Sequence, residues 1–240
     1  MAGKIHRYDC YDIRKFGSNY VRGFLDLGAN VGTTTLMAKI LFPIAKIISI
    51  EPCIETYERL KKNVSIWMTK QDRLYNFALG DGTDLCFLRR SHSGMYRFLL
   101  DNDIEKKWWP NNFEYSVESK TLAQIFNENK IESPYIIKID IEGGERFLLQ
   151  QTDAIDIIRE SVQTMIEIHP IFGGKPKQWD NWFANFSDTH ELKIGTWRNK
   201  KSKDLSLIKY EHILCDKVLG KTKQYELVSR KWGREVQNIY

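Results

Sequence analysis

"FLDLGANVGTTTLMAKI", residues 24–40, decides the fold. A short apolar run carries an acid, Asp26. Two glycines follow four apart, Gly28 and Gly32, and then a stretch of helical character. The outline is a strand, a tight turn and a helix. Glycines at such a junction let the backbone take dihedrals closed to other residues and come close to a ligand. The start of the helix adds N–H groups that have no intrahelical partner.

The next strand, AKIISIEP (45–52), ends in Glu51, 23 residues beyond Gly28. An acid there is placed to accept hydrogen bonds from ribose hydroxyls. A dinucleotide fold prefers GxGxxG. This turn reads Gly28-Ala29-Asn30-Val31-Gly32 and has no third glycine to press a helix against a pyrophosphate. Asp26, just before it, would repel a pyrophosphate and suit an ammonium or a sulfonium. S-adenosylmethionine (SAM) carries both, so SAM is the expected cofactor ahead of a nicotinamide dinucleotide. The rival reading is a turn that serves only strand–helix packing.

Strand and helix alternate along the rest of the chain. GFLDLG (23–28), AKIISIEP (45–52), RLYNFALG (73–80), PYIIKIDIEG (134–143) and SVQTMIEIHP (161–170) read as strands. Their apolar runs are continuous, as when both faces of a sheet are covered. Helices are predicted over 33–43, 53–68, 119–130, 144–158 and 178–186, the second from Ile54, Tyr57, Leu60, Val64 and Trp67 at spacings of three and four. Residues 81–119 are less regular, with strands expected around 86–90 and 115–119. Two more strands are expected over 190–198 and 210–217. Repeated βα units imply an α/β, Rossmann-like, doubly wound and mostly parallel sheet. No domain boundary is marked, so residues 1–240 are expected to form a single domain, with the motifs in 24–170 and acceptor-side elements in 171–240.

Composition narrows the class. The 240 residues are 42% apolar and 28% charged, a globular profile. No apolar run reaches the length of a membrane span, and MAGKIHRYDCYD lacks the shape of a signal peptide. Cys10, Cys53, Cys86 and Cys215 form no CxxC pair and read as free thiols of a reducing, cytoplasmic compartment. The net charge of +5 is uneven: residues 193–234 hold 12 Lys/Arg and 4 Asp/Glu, a net of +8, which leaves −3 for the remainder. That basic stretch is either a solvated face or a grip for an anionic partner such as nucleic acid.

LDLGANVG (25–32), SIEP (49–52), NFALGD (76–81), YIIKIDIEGGE (135–145) and MIEIHP (165–170) together resemble the class I SAM-dependent methyltransferases, and more closely the FkbM-type family. The resemblance covers residues 24–170; after 172 no motif aligns. It implies seven strands with the last antiparallel, and O-methylation of hydroxyls, often on sugars or glycosylated natural products. It also implies that Gly28, Asn30 and Gly32 line the methionine and ribose of SAM and that Glu51 holds the ribose. Pro52 and Cys53 would border the adenine, and Asn76, Phe77 and Ala78 would contact its ring. Phe77 reads equally as a core aromatic.

Ligands of open α/β sheets sit beyond the C-terminal strand ends. That points to Asp140, Glu142 and His169. Lys138 and Asp140 share one strand face, and a lysine in an apolar strand needs a partner. Lys138 either orients an acceptor hydroxyl, acts as base if burial lowers its pKa, or makes a structural ion pair. His169, with Glu167 on the same face to orient it, is the expected general base, because its ordinary pKa suits proton transfer near neutrality. Asp140 is assigned to positioning the SAM amino group or the acceptor. On ligand type Asp140, Glu142 and His169 suit a metal, but no spacing demands one and none is expected. His92 in an irregular loop and Trp108 and Trp109 as a sugar platform are further candidates. The expected activity is SAM-dependent O-methyl transfer to a small hydroxyl acceptor such as a sugar. The alternatives are RNA ribose 2′-O-methylation and a non-catalytic SAM-fold binding module.

Overall fold

The computed structural model describes residues 13–83, 85–89, 96–98, 114–169, 176–196 and 211–217. At its centre lie β1 (Gly23–Leu27), β2 (Lys46–Ile50), β3 (Arg73–Tyr75), β9 (Tyr135–Ile139), β10 (Gln163–Ile168), β11 (His190–Thr196) and β12 (Glu211–Lys217). They form one seven-stranded sheet in the order β11-β12-β10-β9-β1-β2-β3. The pairings β3–β2, β2–β1, β1–β9 and β9–β10 are parallel, and β12 runs antiparallel to both β10 and β11. The expected mostly parallel sheet with an antiparallel C-terminal strand is therefore present. From β1 the chain moves outward through β2 to β3, then returns to place β9 on the other side of β1. The order reverses there, and in open α/β sheets ligands bind beyond the carboxyl ends of the strands at such a reversal, here those of β1 and β9.

The continuous apolar runs have a simple cause: successive side chains of a strand point to opposite faces, and both faces are covered. Phe24, Ile47, Ile136 and Met165 pack on one face with Met37, Ala38 and Phe42, from and just beyond α1 (Thr33–Leu41). Leu25, Leu27, Ile48, Ile50, Ile137, Ile139 and Ile166 pack on the other. There they meet α3 (Leu122–Asn129), α4 (Thr152–Glu160) and α5 (Pro176–Ala184), the last bringing Trp179, Trp182 and Phe183. α2 (Ile54–Val64) sets Leu60 and Val64 against Ala29. A small antiparallel sheet, β6-β5-β7, joins β5 (Leu85–Arg89), β6 (Tyr96–Phe98) and β7 (Glu114–Val117), in the region expected to hold extra strands.

Three expectations need correction, the first being the helix read over 119–130, which begins only at Leu122 because Ser119–Lys120 form a strand. The third strand does not run through residue 80. It leaves the main sheet after Tyr75, and β4 (Ala78–Leu79) pairs instead with β8 (Ser119–Lys120). Asn76 makes the break, because its side-chain amide donates back to the Glu51 and Pro52 carbonyls at 2.9 and 2.8 Å. The helix over 144–158 is likewise two pieces, a 3-10 segment Gly144–Gln150 and then α4, parted at Gln151. The Gln151 side chain holds that joint by accepting from Leu122 N–H at 3.0 Å and donating to the Gly80 carbonyl at 2.8 Å. Among the described residues no helix is long and apolar enough to cross a membrane.

Candidate active site

The turn after β1 is built from two left-handed glycines around a left-handed asparagine: φ is 79° at Gly28, 50° at Asn30 and 91° at Gly32. A Cβ on Gly28 would stand 1.8 Å from the Asp140 carbonyl oxygen, so β1 and β9 touch backbone to backbone there. A Cβ on Gly32 would meet Leu60 and Val64 of α2 at 2.7 Å. Gly32, expected to line a ligand, thus makes room for a helix. Four of the turn's donors are taken inside the protein. Gly28 and Ala29 N–H both bond the Ile50 carbonyl, Gly32 N–H bonds the Ala29 carbonyl, and Asn30 N–H donates to Glu51 Oε2 at 2.9 Å. A pyrophosphate site needs such groups free and pointing outward.

Glu51 is buried, 7% exposed, and its other oxygen accepts from Cys53 N–H at 3.0 Å. Burial pushes its carboxyl up to about 7, against the hydrogen bonds from Cys53 and Asn30. Pro52 is half-buried and Cys53 buried at the start of α2. The three residues expected at an adenine ring fare unequally. Phe77 and Ala78 are buried, Phe77 within the core beside Tyr75, which favours its reading as a core aromatic. Asn76 is the tether described above.

Beneath the turn the register places Ser49, Asp26 and Lys138 side by side across β2, β1 and β9. Asp26 has no exposed surface. It was expected to meet a ligand's cation, but its carboxylate faces inward: Thr35 Oγ1 donates to it at 2.7 Å, and Lys138 Nζ lies 3.2 Å away. Lys138 also donates to the Gly28 carbonyl at 2.6 Å and stands 3.7 Å from Asp140 Oδ2. Burial pushes its ammonium down, but Asp26 and Asp140 outweigh this and hold it above the usual lysine value. Of the three readings of Lys138, its contacts favour the structural ion pair, and the lowered pKa on which the base reading depended is absent.

Asp140 directly follows β9, and its N–H bonds the Leu27 carbonyl at 3.1 Å. Its side chain remains 27% exposed. Confinement raises its pKa, opposed by Lys138 and His169. Glu142 takes a left-handed backbone, φ 52°, and is also 27% exposed at its side chain. His169, at the end of the neighbouring β10, is buried between two glutamates. Its Nδ1 lies 2.8 Å from Glu145 Oε1, and its Nε2 lies 3.2 Å from Glu142 Oε2. Burial pushes the imidazole down, but Glu145 and Glu142 together hold it well above its ordinary value. A histidine kept charged at neutral pH is a poor general base. The acid on Nδ1 is Glu145, which the strand pattern did not suggest. Asp140, Glu142 and His169 converge, with their ligand atoms within 4.8 Å of one another.

Sequence reading missed Thr35, Ser49 and Glu145. Thr35 is buried within α1 and bonds both Asp26 and Ser49. Glu145 has no exposed surface, and its second oxygen accepts from Gly143 N–H at 2.8 Å. It closes the quoted stretch YIIKIDIEGGE, so its signal was visible though its task was not. His92, Trp108 and Trp109 lie outside the described residues, as does most of the basic stretch 193–234.

Residues 26–191 match the family described as the methyltransferase FkbM domain. A curated relative, methyltransferase 1 of Beauveria bassiana (strain ARSEF 2860), is 23% identical over 158 residues, 60% of this chain and 63% of that protein. A solved structure, methyltransferase FkbM from Methylobacillus flagellatus KT, superposes with a TM-score of 0.55 at 12% identity. It covers 87% of this chain and 46% of that one, so this chain spans less than two thirds of either relative.

Proposed function

The chain belongs to the methyltransferase FkbM domain family, and from that premise we propose that it is a SAM-dependent O-methyltransferase acting on a hydroxyl of a carbohydrate or other small acceptor. The observation that carries this reading is the turn Gly28–Gly32 beside Glu51. The N–H groups of Gly28, Ala29, Asn30 and Gly32 bond within the protein, and the group beside them is a carboxylate, so the turn suits a ligand with hydroxyls and positive charge and opposes a pyrophosphate. SAM, when bound, supplies a methyl on a sulfonium: the new O–CH3 bond forms as the S–CH3 bond breaks, and its electron pair returns to sulfur. The sulfonium is already activated, so the protein mainly positions and excludes.

The chain's own residues divide that work. Glu51 holds ribose hydroxyls, with Ala29, Asn30, Pro52 and Cys53 as its neighbours. Lys138 and Asp26 lock the floor under Gly28 and set the place of Asp140. Asp140 and Glu142, the partly open carboxylates at the strand ends, meet the acceptor. Asp140, the partly open carboxylate beside Lys138, takes the hydroxyl proton. His169 fixes Glu142.

The test is calorimetry and a labelled-methyl transfer screen on the full chain. Binding of SAM and S-adenosylhomocysteine, with no NAD binding, and label on a sugar hydroxyl support the reading. NAD binding without SAM binding would sink it. Label on RNA in place of small hydroxyl compounds would redirect the acceptor.

A further inference from the structure

We propose that the ends of β9 and β10 hold a first-row divalent cation on Asp140, Glu142 and His169, and that the acceptor binds through it. The three side chains bring their ligand atoms within 4.8 Å of one another. His169 Nε2 and Glu142 Oε2 stand 3.2 Å apart. Two donors about 2.1 Å from one ion are about 3.0 Å apart at a right angle and about 3.4 Å apart at the tetrahedral angle. The observed spacing lies between these. Donors on opposite sides of an ion would be about 4.2 Å apart. A pair at the full 4.8 Å would close by about 0.6 Å to sit on opposite sides of the ion and by about 1.4 Å to sit at the tetrahedral angle, a side-chain movement for which the two carboxylates, each 27% exposed, have room.

The imidazole is posed as a ligand once an incoming cation displaces the proton on Nε2. Its Nδ1 rests on Glu145, a carboxylate with no exposed surface, which is itself fixed by the N–H groups of Gly143 and His169 at 2.8 and 2.6 Å. A buried carboxylate on one ring nitrogen fixes the ring plane and turns the other nitrogen outward, as at metal-bound histidines. Here the outward nitrogen faces Glu142. One imidazole with two carboxylates suits Mn2+, Fe2+ or Zn2+ better than Ca2+, whose shell is oxygen alone. The carboxylates of Asp26, Asp140, Glu142 and Glu145 also outnumber the one lysine among them, Lys138.

Three protein donors leave positions for the acceptor. Two adjacent oxygens of one molecule, as in a vicinal diol, would chelate the ion. A hydroxyl on a divalent cation gives up its proton more readily, which makes a weak carboxylate base sufficient. This role, though not the binding itself, rests on the methyltransferase reading.

The experiment titrates chelator-stripped full chain with Mn2+, following the free ion by electron paramagnetic resonance. S-adenosylhomocysteine binding is measured calorimetrically on the same sample. One saturable Mn2+ per chain is expected. Glu142→Gln should weaken it at least about tenfold with S-adenosylhomocysteine affinity kept. Glu145→Gln, at a positioning residue, should weaken it about 10- to 100-fold. No saturable uptake by a chain that binds S-adenosylhomocysteine overturns the metal site and leaves the methyltransferase reading intact. Uptake by a chain that binds neither SAM nor S-adenosylhomocysteine keeps the metal site and overturns that reading. Uptake unchanged in Glu142→Gln places the ion elsewhere and overturns the proposal.

Discussion

In the proposed reading, Glu51 concentrates the cofactor chemistry in one side chain. A carboxylate holding two hydroxyls in a mostly dry site contributes on the order of 2–3 kcal/mol. Glu51→Ala should therefore weaken SAM by roughly 30- to 150-fold, read by calorimetry. The same residue sets a pH dependence. Its carboxyl titrates at about 7, and the ionised form is the better acceptor. SAM affinity should rise about tenfold from pH 6 to pH 8, and Glu51→Gln should remove that portion of the slope; an unchanged slope in the variant would detach Glu51 from the ligand. Lys138 makes a second residue-scale prediction. Its removal leaves Asp26 charged, without exposed surface and with the Thr35 hydroxyl as its hydrogen bond. Lys138→Met should cost about 3–5 kcal/mol in urea unfolding, as for other broken buried pairs. The double variant with Asp26→Asn should recover much of it, and additive losses would refute the pairing.

At the scale of elements, the junction of β1 and β9 depends on a missing side chain. Gly28 and Gly82 have similar left-handed backbones, φ 79° and 91°, but differ in what lies beside them. A Cβ on Gly82 finds its nearest neighbour, the Gln124 amide oxygen, at 3.5 Å, whereas one on Gly28 collides with the backbone of Asp140. Gly82→Ala should cost about 1–2 kcal/mol, the penalty of the left-handed conformation alone. Gly28→Ala should cost about 3 kcal/mol or more, because strand must part from strand. Denaturant melts of the two variants settle the contrast. The elements themselves were legible where hydrophobic periodicity decides them, so the parallel core strands and most helices stand as read. The breaks at Asn76 and Gln151 were not, because each is set by a side chain bonding a backbone distant in sequence. The site was half legible for a related reason. Strand ends announced Glu51, Asp140 and His169. The cross-strand register that pairs Asp26 with Lys138, and the turn that brings Glu145 under His169, follow only from the folded sheet.

Taken as a whole, the ligand-free molecule should lose stability as pH rises. Burial raises the Glu51 carboxyl to about 7, so the stability linked to its proton is full below the ordinary carboxylate range and is lost as pH climbs through 7. For His169, burial lowers the pKa, but Glu145 and Glu142 raise it further, so its contribution is full below about 6.5 and is lost above its higher folded value. The melting temperature should therefore fall from pH 5 to pH 9, with Glu51→Gln flattening the lower part of the curve. A melting temperature that climbs over this range would contradict both directions. The strand order has a consequence of another kind, in time. β12 is threaded between β10 and β11, though both are made before it. As the chain leaves the ribosome, β1, β2, β3 and β9 already have their neighbours, while β10 keeps a bare edge until residue 217 has emerged. Synthesis stalled short of β12 would thus leave a half-built sheet with one sticky edge for chaperones to guard.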